Sequence, residues 1–110
     1  MSQSSLSSII NQNKLTVDNF TNWKMNLLIV LSFEKYKYVL EKECPSIPNE
    51  NASSVELLAY ANWLDSNEIA RCYVMASMNS VFQKQHEGYK TARKIIDNVK
   101  DMFGGQSLLV

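Results

Sequence analysis

Glycine and proline are scarce in this chain, three and two in 110 residues. So few turn formers cannot punctuate a many-stranded β fold, and their scarcity points to helices. Histidine occurs once, at His86, and cysteine only at Cys44 and Cys72, with no CxxC or Cys/His spacing. A zinc site needs three or four such ligands, so no metal site is expected, and nothing calls for another cofactor. The polar opening after Met1 has neither the basic nor the apolar region of a signal peptide. A cytoplasmic protein with two free thiols is therefore expected. The sequons Asn19-Phe20-Thr21 and Asn51-Ala52-Ser53 then count as chance matches. Ser2 stands where N-myristoylation requires glycine. No apolar run approaches the roughly 18 residues of a membrane span. No small-molecule substrate or membrane partner is expected.

Net charge is also absent: 11 basic residues balance 11 acidic ones. Bulk attraction to nucleic acid or to an anionic membrane does not follow. The balance is uneven along the chain. Residues 41–68 carry six acidic side chains against Lys42, whereas residues 69–110 carry six basic ones against three acidic. Two solvated faces would explain this. So would head-to-tail contact between unlike patches on neighbouring copies.

What is present is apolar surface, 45% of the residues. A single domain of this length buries roughly two-thirds of its unfolded surface and needs no staples. The expected organisation is a flexible polar tail over 1–13, a helical domain over 14–107, and at 108–110 the start of a truncated continuation. Leu6, Ile9 and Ile10 are the tail residues able to dock. A first helix is predicted from Thr21, with Thr21 as cap and Phe20 as staple. Trp23, Leu27, Val30 and Leu31 fall on its apolar face, which Met25, Leu28 and Ile29 widen. Ser32-Phe33-Glu34 is expected to break it. Glu34–Glu43 forms a short second helix presenting Tyr36, Val39 and Leu40. A loop follows over 44–52. Ser53 and Glu56 fit a capping box. It opens a long helix to about Met78, with Leu58, Trp63, Ala70, Val74 and Met78 in step and a kink allowed near Asp65–Asn67. Tyr60, Ile69 and Tyr73 add apolar area. A short helix spans Asn79–Gln85. In the last helix Thr91 caps a face of Ala92, Ile95, Ile96, Val99, Met102 and Phe103, and Gly104-Gly105 ends it. The predicted fold is all-α, a compact bundle of about five helices.

A search for chemistry finds no constellation. GxSxG, HExxH and phosphate-cradling glycine loops are missing, and Asp65-Ser66-Asn67 lacks the glycine of an aspartic-protease loop. His86, in the polar run Gln83–Glu87, reads as a surface or capping histidine. Trp23 and Trp63 read as core, because base stacking needs basic neighbours that Lys24 alone does not supply. Met75, Met78 and Met102 read as core filler. No enzymatic activity is expected.

The order of short motifs goes further. Asn19-Phe20-Thr21-Asn22-Trp23-Lys24 resembles the opening of the Gag polyprotein of copia-type retrotransposons, the plant-type members most closely. Lys37-Tyr38-Val39-Leu40 resembles the end of that family's second helix. Trp63, Asn67-Glu68, Ala70-Arg71-Cys72-Tyr73 and Met75-Ala76-Ser77-Met78 resemble its long central segment. Gln83-Lys84-Gln85-His86 resembles a QKQH-like tract. Thr91-Ala92 and Val99-Lys100-Asp101-Met102-Phe103-Gly104 resemble its ending, with Gly105 where plant members often have Glu. The similarity covers about residues 14–107.

The resemblance implies the N-terminal lobe of a retroelement capsid, a homo-oligomer that forms virus-like particles around element RNA. The family's zinc knuckle does not occur in this sequence, so RNA is expected to be held through a missing C-terminal region. Phe20, Trp23, Leu27, Leu31, Leu40, Trp63, Ala70, Tyr73, Val74, Ile96, Val99 and Phe103 are assigned to the core. Met25, Ile29 and Leu108–Val110 are candidates for self-association. Lys84, Lys90, Arg93 and Lys94 are candidates for a weak, salt-sensitive RNA contact. The alternative is a domesticated or truncated Gag-derived adaptor that binds a partner protein or peptide in a helical groove.

Overall fold

A computed structural model describes residues 8–104, which are all-helical with no strand among them. The helices are α1, of which residues 8–12 are described, α2 (Phe20–Phe33), α3 (Tyr38–Glu41), α4 (Ser54–Ala76), α5 (Ser80–His86) and α6 (Ala92–Phe103). No helix among the described residues is long and apolar enough to cross a membrane.

The first surprise lies in the polar N-terminal segment. Residues 8–12 are helical, and Ile10 is buried against Val30 of α2, with Ile9 and Tyr73 beside them. The flexible tail expected over 1–13 does not extend over residues 8–12, where Ile9 and Ile10, two of the residues able to dock, outweigh the surrounding Ser, Asn and Gln. Residues 1–7 and 105–110, including Leu108–Val110, lie outside the described residues. Leu15 follows, buried, with its N–H donating to the Ser77 carbonyl at 2.9 Å.

Helix α2 starts one residue before the expected Thr21 cap. Asn19 stands at the cap position, but its side chain does not bond the helix. Its Oδ1 accepts from the Thr16 N–H at 2.7 Å and its Nδ2 donates to the Lys14 carbonyl at 2.8 Å, closing the lead-in turn instead. Phe20, inside the helix, tilts against Trp23 with ring centroids 6.0 Å apart. Trp23, Leu27, Val30 and Leu31 are buried, as their spacing requires.

The end of α2 also differs from expectation. The helix runs through Phe33, and Lys35 takes φ 68°. The Lys35 N–H donates to Ser32 and the Tyr36 N–H to Leu31, at 3.1 and 2.8 Å. That pairing is a Schellman stop, and it places a lysine where glycine is favoured. Helix α3 is then only one turn, shorter than Glu34–Glu43, because the stop has used up the first residues of that stretch.

Helix α4 is continuous over 23 residues, with no break at Asp65–Asn67. The Ser53 Oγ accepts from the Glu56 N–H at 3.2 Å, and the Glu56 carboxylate reaches back to the Ser53 hydroxyl. Trp63, Asn67, Ala70 and Val74 form its buried face. Leu58 was expected on that face and is instead exposed. Five residues before Trp63, it sits about 140° round the helix from the buried face. Helices α4 and α6 pack directly on each other, and α2 and α3 each touch both. Thr91 caps α6, accepting from the Lys94 N–H at 3.1 Å. Gly104 keeps helical dihedrals rather than a left-handed stop, and Met102 is partly exposed.

The assigned core falls in one cluster. Trp23, Leu27, Leu31, Trp63, Ala70, Val74, Ile96 and Val99 are buried, and Phe20, Leu40, Tyr73 and Phe103 pack on them partly buried. Tyr73 touches both this cluster and the Ile10–Val30 pair.

Two expectations follow. A left-handed non-glycine residue costs about 1–2 kcal/mol, and glycine returns part of that as unfolded-state entropy. Lys35→Gly should therefore stabilise the fold by about 0.5–1 kcal/mol and raise the thermal midpoint by a few degrees. Unchanged or lowered stability would show that the turn is not strained. Burial first, then the nearby Glu34 carboxylate and Tyr36, raise the Tyr73 pKa above the ordinary 10.0. The fold thus prefers the neutral phenol. This contribution is complete below about pH 10 and is lost as pH rises through the folded value. In an alkaline absorbance titration one tyrosine should ionise late, and Glu34→Gln should bring it earlier.

Candidate interaction surfaces

The polar side chains of the interior are held by backbone groups and by one another. At the C-terminal end of α4 the last carbonyls lack helical partners. Ser77 Oγ donates to the Val74 carbonyl. Gln83 Nε2 donates to Met75 and Met78, at 2.8 and 3.1 Å. The Ser77 carbonyl accepts from Leu15 and from Trp23 Nε1, whose shorter bond, 2.9 Å, goes to Ser77 Oγ.

A second set docks the turn before α6 onto α4. Asn67 accepts from the Ala92 N–H at 3.0 Å and donates to the Lys90 carbonyl at 2.9 Å. Arg71 donates to the carbonyls of Tyr89 and Glu87, at 2.9 and 3.0 Å. Its remaining edge meets Glu68 at 3.4 Å.

His86 is fully buried, which corrects the surface half of its surface-or-capping assignment. Its Nδ1 lies 2.8 Å from the Phe82 carbonyl, which can only accept, so Nδ1 carries the proton. Nε2 is then the acceptor for Asn98 Nδ2 at 2.9 Å. Tyr89 stacks at a tilt nearby. Spacing within a polar run hid this position, since burial comes from α6 through Asn98. Among the described residues no three His, Cys, Asp or Glu side chains gather as metal ligands would. Cys44 and Cys72 are exposed and unpaired.

Unoccupied apolar surface lies elsewhere. On α2, Met25, Ile29 and Phe33 form a stripe at four-residue spacing, exposed by 55, 51 and 65%. With Leu28, Ser32 and Lys37 they frame a shallow depression. Sequence spacing singled out Met25 and Ile29 but took Phe33 for a breaker. The second surface is the N-terminal end of α4 with the preceding loop, where Ile47, Val55, Leu57 and Leu58 are exposed.

Beside that end, a cleft of about 340 Å³ opens between the end of α3 and the start of α6. Val39 and Trp63 form its base, and Lys42, Arg93 and Lys94 stand around it with Glu43 and Asp97. Trp63 Nε1 donates to the Lys42 carbonyl at 3.0 Å, leaving ring carbon toward the cleft. The four residues proposed for RNA are thus not gathered equally. Arg93 and Lys94 share the cleft, and Arg93 faces Asp97 at 3.9 Å. Lys84 stands exposed on α5 and Lys90 in the turn before α6. The mixed charge of the cleft makes it a weak polyanion groove.

The Asn67 clamp is open to test. Asn67→Leu keeps the volume but leaves the Ala92 N–H and Lys90 carbonyl unmet, at about 1–3 kcal/mol for each buried group. The urea midpoint should fall with an unchanged slope, whereas Asn67→Asp should lose less because it still accepts from Ala92. Equal stability of all three forms would mean that water replaces the side chain. No family model matches the chain, and no curated protein or solved structure is significantly similar to it.

Proposed function

We propose that the chain is a non-enzymatic self-assembly module, a Gag-like capsid protein of a copia-type retrotransposon whose copies build virus-like particles around element RNA. The observation that carries the reading is the presence of two apolar surfaces on different helices, the α2 stripe and the projecting end of α4. A single self-complementary patch closes a dimer and stops there. Two separate patches let contacts propagate into a larger assembly. Clusters of exposed large apolar side chains of this kind mark interaction sites rather than ordinary surface.

The residues behind the Gag resemblance add support. Trp23, Ser77 and Gln83 satisfy the end of α4, Asn67, Arg71 and Ala92 join α4 to α6 and the turn before it, and Thr91 caps α6. Residues with such geometric duties belong to a shared helical scaffold, while the apolar surfaces are left for contact. RNA packaging is assigned to a separate region of the polyprotein, since Lys84, Lys90, Arg93 and Lys94 form no single basic face.

The test is light scattering coupled to size-exclusion chromatography over a range of protein concentration and salt. The chain should grow with concentration to dimers and larger particles. Ile29→Glu, on the exposed stripe, should remove the largest species while leaving the helical circular dichroism unchanged. A monodisperse monomer under every condition would overturn the reading and favour the adaptor alternative.

A further inference from the structure

We infer that a second copy of this chain is the occupant of the cleft at Trp63, and that the part it inserts is the acidic, apolar end of α4. The inference rests on the self-assembly reading and assigns one of its contacts.

The inserting end is built from the loop after α3 and the first turns of α4. Ile47 and Val55 are 82 and 75% exposed, with Leu57 and Leu58 beside them. The first buried residue of α4 is Trp63. Nine residues separate it from Ser54, so the helix projects about 13 Å before it meets the core. A projecting helical end this short is marginal on its own, yet it carries large apolar side chains instead of the charged ones that solvent would favour. Its charges have one sign. Between Lys42 and Arg71 the sequence contains no basic residue, while Glu50 and Glu56 lie on this end.

The cleft has the complementary composition. Carbon from Val39 and Trp63 lies at its base, and the stems of Lys42, Arg93 and Lys94 rise around it. Asp97 is engaged by Arg93 and Glu43 also lines the cleft, whereas Lys42 and Lys94 have no ion pair among the described residues, so three basic groups stand against two acidic ones. An apolar side chain flanked by a carboxylate satisfies both parts of such a site.

The two halves adjoin on each molecule. Cys44 lines the cleft, and Pro45, the next residue, lines a hollow against Glu56 and Ala59 on the inserting end. Side-by-side complementary halves suit a two-fold axis, because one rotation seats both ends in both clefts. The contact is therefore a closed dimer, and extension beyond it falls to the α2 stripe.

A charge exchange tests the pairing in the full chain. Sedimentation equilibrium at low salt should show Glu56→Lys and Lys94→Glu each weakening dimerisation by about tenfold. The variant carrying both changes should recover most of that loss. Val55→Ser with Leu58→Ser should weaken it without loss of helical signal, since both residues are exposed. If the unaltered chain associates but ignores both charge changes, or the double variant fails to recover, the inference is overturned and the self-assembly reading stands. If the unaltered chain does not associate at all, both are overturned.

Discussion

The fold depends on one constraint, the need to satisfy the buried C-terminal end of α4. A helix ends with carbonyls that have no partner of their own, and in an apolar interior each would cost free energy. Here Ser77 and Gln83 supply donors to Val74, Met75 and Met78, and Leu15 and Trp23 donate to Ser77. Those donors come from Leu15 before α2, from α2, from Ser77 just past α4, and from α5. Meeting the demand of one helix end therefore fixes three other segments around it. Removing Trp23 would open the core and also leave Ser77 short of a donor, so packing and hydrogen bonding fail together at that position.

The second junction works by the same logic. The turn from α5 to α6 has no strand or long helix to absorb its carbonyls, and Arg71 and Asn67 reach across from α4 to bond Glu87, Tyr89 and Lys90. The same Asn67 accepts from Ala92, the first residue of α6. Position and orientation of α6 are thus set by α4, and the four-residue rhythm of Ile95, Ile96 and Val99 then buries itself against the face that receives it. His86 closes the arrangement from the other side through Asn98.

How much of this was legible in the sequence depended on whether a signal was local. Helical spacing located the buried faces of α2 and α6, and the caps at Ser53 and Thr91 were readable because a cap acts within one turn. The Schellman stop at Lys35 was not, since its residue is not the glycine that announces such a turn. In residues 8–12, Ile9 and Ile10 were legible as able to dock, but their site on the distant Val30 was not. Leu58 stands five residues before Trp63, about 140° round the helix at 3.6 residues per turn, so it points away from the buried face. The α2 stripe was partly visible as an over-wide apolar face. The cleft was not visible at all, because its walls come from residues about 50 positions apart that only the packing of α3 against α6 brings together.

This division of labour bears on function. The interior side chains suited to acid–base work or ligand binding, among them His86, Asn67, Asn98 and Gln83, already have partners within the fold. Among the described residues, no buried side-chain nitrogen or oxygen lacks one. A group held this way is poorly placed to exchange protons with a substrate, since each new bond would first break one that supports the scaffold. The unused interaction capacity lies outside, in apolar side chains on α2 and α4 and in unlike charges around the α4 end. Under the proposed reading, polar groups committed inward and an apolar surplus displayed outward suit contact between copies, and the specificity of that contact would come from where the charges lie.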